Sequence, residues 1–309
     1  MSHVVGVDLG GTKTAAARVA PDGTLGEIVS APTPALRGGQ AVLDVVADLV
    51  RRVGGDDTVG LGVGTAGVVD ATVGRIISAT DTFSDWVGTD VAGGLRQRRG
   101  WSDRPIEVIN DVDAHALGEQ WLGAARDHGS VLMVAVGTGV GGAVVLDGRL
   151  WTGAHHVAGE IGHVPTPGAE GLYCACGRPG HLEAVAAGPA IERMYGVDGV
   201  DGRAIMARAE AGEKKALAVV ERAASSLGRA IAGLVTVLDP ACVVIGGGVA
   251  LAGDVWWGPL RRTIRDELVP ILADIPVLPA AAGPSAAILG AAKRALDSVA
   301  AHPHHRSLT

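Results

Sequence analysis

The stretch Val4–Val19, VVGVDLGGTKTAAARV, decides how this chain folds. A short apolar run, Val4–Leu9, ends in Gly10-Gly11, and Thr14–Val19 follows at hairpin distance as a second strand. The same order returns in Met133–Leu146, MVAVGTGVGGAVVL. There the strand Val131–Val136 meets the turn Gly137-Thr138-Gly139, and Gly141–Leu146 runs back. One glycine-rich hairpin is a common feature. Two of them, each opening a run of alternating strands and helices, indicate a duplicated α/β domain.

Helical spacing supplies the intervening layers. Gln40–Val53 places Val42, Val45, Val46, Leu49, Val50 and Val53 on one face. Strands follow at Val59–Val63 and Ile106–Ile109, and Asp111–Ala125 reads as a helix with Asn110 or Asp111 as its N-cap. Glu213–Leu238 reads as a long helix, Cys242–Ile245 as a strand and Ser285–Ala300 as a final helix. The segment 301–309 reads as a frayed tail whose histidines belong to a mobile end rather than to a metal site.

Composition narrows the function. Hydrophobic residues make up 48% of the 309, so the bulk of the chain folds. Aromatics are only 3% while glycine reaches 47 residues, so the cores are built from Ala, Val, Leu and Ile between tight turns. The net charge of -7 argues against a nucleic-acid binder, which carries a basic face. No apolar run approaches the ~20 residues that span a bilayer, and the start MSHVVGVDLGG lacks a signal-peptide pattern. Three cysteines, Cys174, Cys176 and Cys242, are too few for a disulfide scaffold. The chain reads as soluble and cytoplasmic, without a membrane or nucleic-acid partner.

Three groups of residues carry chemistry. The turns Asp8–Lys13, Gly137–Gly141 and Gly246–Gly248 offer backbone N–H donors with no Cβ in the way, as a phosphate requires. Asp8, at its strand end, suits Mg2+ held through water. Any one turn alone reads better as a plain hairpin. Asn110-Asp111 follows a strand, where α/β folds place their ligands, and Asp111 there suits a general base. Taken alone, it is better explained as a helix cap than as a catalyst. The third group is His163 with Cys174, Cys176 and His181, on a Gly/Pro-rich loop. Two sulfurs and two imidazoles suit a closed, structural tetrahedral zinc site.

Read together, these motifs resemble the ROK family (repressors, open reading frames, kinases) of the sugar kinase, actin and heat-shock ATPase superfamily. The resemblance runs from about Val4 to about Leu296. It rests on DLGGTKT, GTGVGG, GEIGH followed by CACGRPGHLE, and VVIGGGVA. It implies a duplicated actin-like (ribonuclease H-like) ATPase fold, with two lobes and an interlobe cleft. The expected division is 1–112 for a small lobe, with the C-terminal helix at 285–300 packed back on it. The large lobe spans 113–284 and carries a zinc loop at 163–183.

The resemblance also assigns roles. Asp111 matches the family's catalytic base. Gly67, Asn110, Asp111, Glu160, His163 and Glu183 fall on the sugar side, with His163 giving one ring nitrogen to zinc and the other to a sugar hydroxyl. Gly10, Gly11, Thr12, Thr138 and Gly139 would surround the phosphates, with Asp8 and Lys13 in the first motif. Gly247 and Gly248 belong to the stretch that packs against adenosine. Two departures mark this chain. His181 stands where the family usually has Cys. On the sugar side, Gly64-Thr65-Ala66-Gly67 and Thr82–Trp86 replace the more usual runs.

The expected activity is an ATP-dependent hexose kinase acting on the 6-hydroxyl with Mg2+. Glucose is the first choice; N-acetylglucosamine and N-acetylmannosamine are the alternatives. A homodimer or homotetramer is the family default. A sugar-responsive regulator without kinase activity is disfavoured, because Asp8 leaves no room before it for a helix-turn-helix.

Overall fold

In the computed structural model, which describes residues 2–80, 82–101 and 103–301, the two glycine-rich hairpins open two sheets of the same topology. The chain divides into two units, Met1–Asp127 with Thr152–Val157 and Ala281–Thr309, and His128–Trp151 with Ala158–Ala280. The expected tail beyond residue 301 lies outside the described residues.

The first unit runs β1 (His3–Leu9), β2 (Lys13–Val19), β3 (Val29–Pro32), α1 (Gly39–Val53), β4 (Thr58–Thr65), β5 (Val68–Asp70), β6 (Arg75–Ser78), α2 (Val91–Arg99), β7 (Ile106–Asn110) and α3 (Asp111–Leu122). The second holds β8 (Val131–Val136), β9 (Val140–Leu146), β10 (Arg149–Leu150), α4 (Glu183–Ala186), α5 (Gly188–Tyr195), α6 (Gly202–Glu210), α7 (Lys214–Leu238), β11 (Cys242–Gly246), α8 (Asp254–Glu267) and β12 (Val277–Pro279). The final helix, α9 (Ala286–Ala301), returns to the first unit.

Strand order is β3-β2-β1-β4-β7 in one sheet and β10-β9-β8-β11-β12 in the other. In both, three antiparallel strands continue into two parallel ones. That shared pattern is the duplication the two hairpins announced.

Packing follows the apolar periodicity. α1 buries Val42, Leu43, Val46, Leu49 and Val50 against its sheet together with Val5, Val7, Leu61 and Val63. α9 covers the opposite face with Ile288, Leu289, Ala292 and Ala295 beside Val4, Ala15, Ala17 and Val19. Glycines let it lie close: a Cβ on Gly6 or Gly62 would strike the α9 backbone, and a Cβ on Gly290 would strike Ala114 of α3. This approach holds α3 in the first unit, so the division falls after Asp127 rather than at the expected 112, and returns at Ala281. A further difference is Thr152–Val157, which belongs to the first unit although its neighbours in sequence belong to the second.

Candidate active site

The parallel register of the first sheet aligns three strand ends. Asp8 pairs with Gly64 and Leu9 with Thr65, while Thr65 pairs with Asn110 across β4 and β7. Carboxyl ends of adjacent parallel strands are where such sheets present ligands. Here they gather Asp8, the Gly64–Gly67 loop and Asn110-Asp111.

Which of Asn110 and Asp111 caps α3 is decided by hydrogen bonds. Asn110 is the N-cap: its side-chain oxygen accepts from Val112 N at 2.8 Å and Asp113 N at 3.4 Å. Its Nδ2 donates to Gly67 O at 3.0 Å, and Gly67 presents that carbonyl from a left-handed backbone, φ 98°. Asp111 is the first helical residue, its Oδ1 accepting from Val112 N at 2.9 Å. The cap is therefore supplied without Asp111.

Burial raises the Asp111 carboxyl above the ordinary carboxylate range, with the charge of His115 opposing it. Asp8 is raised in the same way, mainly by burial and further by the charge of Asp111, while His115 again opposes. The two carboxyls therefore share one field with His115, whose Nδ1 lies 3.0 Å from Asp111 O. Sequence reading missed His115. The available signal was its place one helical turn after Asp111, on the same face.

The Gly10–Lys13 turn is closed by Gly10 N donating to Lys13 O at 3.1 Å. It is braced by Thr33, whose Oγ1 donates to Gly10 O at 2.7 Å and whose N donates to Thr12 O at 3.0 Å. A Cβ on Gly11 would lie 2.5 Å from Thr82 Cγ2, so the Thr82–Trp86 stretch borders this turn. Trp86, stacked on Phe83 at 5.0 Å, also donates from Nε1 to Ala66 O at 3.2 Å. The departure noted on the sugar side thus buttresses the loop that holds Asn110.

In the second unit, Gly137 and Thr138 line a pocket of about 930 Å³ together with Gly188 and Gly248. Its apolar wall is Ile191, Met206, Val249 and Leu251, a surface suited to a planar base. Two carboxylates on its rim are occupied: Glu192 accepts from Gly202 N at 2.8 Å, and Asp201 caps α6 through Ala204 N at 2.9 Å. Gly247 serves the backbone instead, with φ 90° and a Cβ position that Val136 would block. At Gly139 a Cβ would lie 2.7 Å from Glu183 Oε2, so this turn packs against that carboxylate.

The cysteine loop closes on itself. Gly177 N donates to Cys174 O and Cys174 N to Arg178 O, both at 2.9 Å, which bends the C-x-C run sharply. One ligand atom from each of His163, Cys174, Cys176 and His181 lies within 4.8 Å of the others. Cys174 Sγ is 3.6 Å from His163 Nδ1, and Cys176 Sγ is 3.3 Å from His181 Nδ1. Two thiols and two imidazoles gathered this way fit one tetrahedral zinc ion, with His181 taking the place of the family's cysteine. Burial, with the neighbouring Glu183 carboxylate, pushes the Cys174 thiol up to about 12.

With Nδ1 turned toward Cys174, the other ring nitrogen of His163 faces Glu160, Nε2 to Oε2 being 4.0 Å. Glu183 links the loop to the glycine turn. Its Oε1 accepts from Cys174 Sγ at 3.4 Å and its Oε2 from Val140 N at 3.1 Å. The structure therefore brings Glu160, His163 and Glu183 to the cysteine loop, and Gly67, Asn110, Asp111 and Asp8 to the first sheet.

Comparison with known proteins agrees with this geometry. The ROK family model matches residues 4–298. The glucokinase of Thermotoga maritima is 33% identical over 308 residues, covering 94% of this chain and 96% of its own length. Two solved structures share the fold. The ROK hexokinase of Thermus thermophilus has a TM-score of 0.86 at 36% identity, over 97% of this chain and 99% of its own. The ROK family glucokinase of Streptomyces griseus, in complex with glucose and AMPPNP, has a TM-score of 0.79 at 29% identity, over 95% and 99%. With the actin-like ATPase sheets, the glycine turns and the cysteine loop all in place, the chain belongs to the ROK family.

Proposed function

We propose that this chain is an ATP-dependent hexose kinase that transfers the γ-phosphoryl group to the sugar's 6-hydroxyl, with glucose as first substrate and Asp111 as general base. The observation that carries the reading is the division of labour between Asn110 and Asp111. Asn110 caps the helix, so the Asp111 carboxylate, raised by burial at the end of β7, is available to take the hydroxyl proton. A carboxylate of raised pKa is the stronger base, provided it is ionised at the working pH.

The other roles follow residue by residue. Asn110, held by Gly67, with Glu160, His163 and Glu183, binds the sugar hydroxyls. Gly10, Gly11, Thr12, Lys13, Thr138 and Gly139 belong to the phosphate motifs, and the pocket beside Gly248 takes adenosine. Mg2+ travels with ATP, where it neutralises charge on the transferring group; Asp8 would hold it through water. His163, Cys174, Cys176 and His181 would hold a structural zinc that orients His163. A cytoplasmic homodimer or homotetramer completes the reading. Among the described residues no helix is long and apolar enough to cross a membrane.

The test is ADP release in a coupled assay, with ATP, Mg2+ and a panel of glucose, other hexoses, N-acetylglucosamine and N-acetylmannosamine. Turnover of glucose with the highest kcat/KM supports the reading. Turnover confined to an N-acetylhexosamine reassigns the substrate, and no sugar-dependent ADP release refutes the kinase. Asp111→Asn should lower kcat about 100- to 10,000-fold. A loss smaller than tenfold would remove Asp111 as base.

A further inference from the structure

His156 is held where a histidine is costly. Its φ is 59°, in the left-handed region that only a few per cent of non-glycine residues adopt. Its Nδ1 is buried without a hydrogen-bond partner, a second cost. Its Nε2 lies 3.5 Å from Asp70 Oδ1, both side chains being largely shielded at 22% and 28% exposure. Glycine would satisfy the backbone without either penalty. Residues kept in strained, unsatisfied settings point to a role that the cost serves.

The two partners lie next to sugar-side groups. Asp70 ends β5, three residues after Gly67, whose carbonyl holds Asn110. The Asp70 carboxylate is itself fixed, since Oδ1 also accepts from Thr72 N at 3.0 Å and from Thr72 Oγ1 at 2.5 Å. His156 sits in Thr152–Val157, the segment that joins the first unit and then runs into Glu160 and His163. Through this pair, Thr152–Val157, the segment from which the chain runs on to Glu160 and His163, is fastened to the end of β5 within the first unit.

We propose that His156, anchored on Asp70, is a positioning residue for the acceptor sugar, fixing the segment from which the chain enters the Glu160–His163 stretch. The inference rests on the hexose-kinase reading above. It makes the residue specific to sugar binding, with no part in the nucleotide pocket.

The experiment compares wild type, His156→Asn, Asp70→Asn and the double variant. Asparagine keeps the left-handed backbone accessible, so the folded chain is retained. With the sugar that wild type turns over best, each single variant should raise the sugar KM about fivefold, on the scale of one lost polar contact. The double variant should be no worse than either single one. The ATP KM should stay as in wild type, which a general structural loss would shift. Independently of turnover, amide exchange over 157–163 should speed up in both single variants. Sugar KM within twofold of wild type, or exchange unchanged over 157–163, overturns the proposal. So does an equal rise in both KM values. Absence of any sugar turnover by wild type instead overturns the kinase reading, and the exchange measurement still decides the proposal.

Discussion

Glu119 of α3 is fully buried, and its carboxylate is an acceptor for three backbone N–H groups. Ala124 N donates to it at 2.8 Å, Ala281 N at 3.0 Å and Ala282 N at 2.9 Å. Ala124 lies just before the chain leaves the first unit, and Ala281 is where it comes back. The carboxylate therefore clasps both passages on the first unit's side. Glu119→Ala strips the acceptor from all three donors. At about 1–3 kcal/mol for each orphaned donor, the cost is roughly 3–9 kcal/mol, a large part of the stability of an ordinary domain. Glu119→Gln keeps one carbonyl oxygen for Ala281 and Ala282 but turns an NH2 toward the third donor. One orphaned donor plus two bonds weakened from charged to neutral gives about 3 kcal/mol. Urea titration followed by circular dichroism reads both values, and amide exchange reads the three N–H groups directly. A Glu119→Gln variant within about 0.5 kcal/mol of wild type, with unchanged exchange at Ala281 and Ala282, would refute the clasp.

Other outcomes follow from the same geometry. Because burial raises the Asp111 carboxyl in the folded chain, ionising it costs stability that is absent below its unfolded pKa and complete above its folded one. Asp111→Asn should therefore melt higher than wild type at neutral pH, with the gap closing as pH falls through the folded value; a gap independent of pH would contradict this. For the same reason, the acid limb of wild-type kcat/KM should lie above the ordinary carboxylate range. Cys176→Ser should lose the zinc, about one per chain by elemental analysis, and weaken sugar affinity; zinc-free wild type purified without chelator would sink the site. Gly139→Val should lower ATP affinity at its phosphate turn and, because its new Cβ is driven against Glu183, sugar affinity as well in calorimetry. Unchanged ATP affinity would remove Gly139 from the phosphates.

Much of this was legible in the chain itself. Both hairpins, α1, α3, α7 and α9 were readable because their signals are local: apolar period, glycine turns and caps within a few residues of each other. The gathering of His163, Cys174, Cys176 and His181 was readable because three of the four sit on one short loop, and their residue types have few other joint uses. The family resemblance supplied the roles proposed for Asp111, Glu160, His163 and Glu183, which spacing alone left open. Tertiary structure decided the rest. The choice of Asn110 over Asp111 as cap depends on side-chain direction and on Gly67, 43 residues away. The place of α3 in the first unit depends on glycines of α3 and α9 meeting. His115 gains its second carboxylate, Asp8, only through the sheet register, and Glu119 its amides from up to 163 residues away. Local preferences are written into a few neighbouring residues, whereas burial and the pairing of polar groups are set only when distant segments exclude water together.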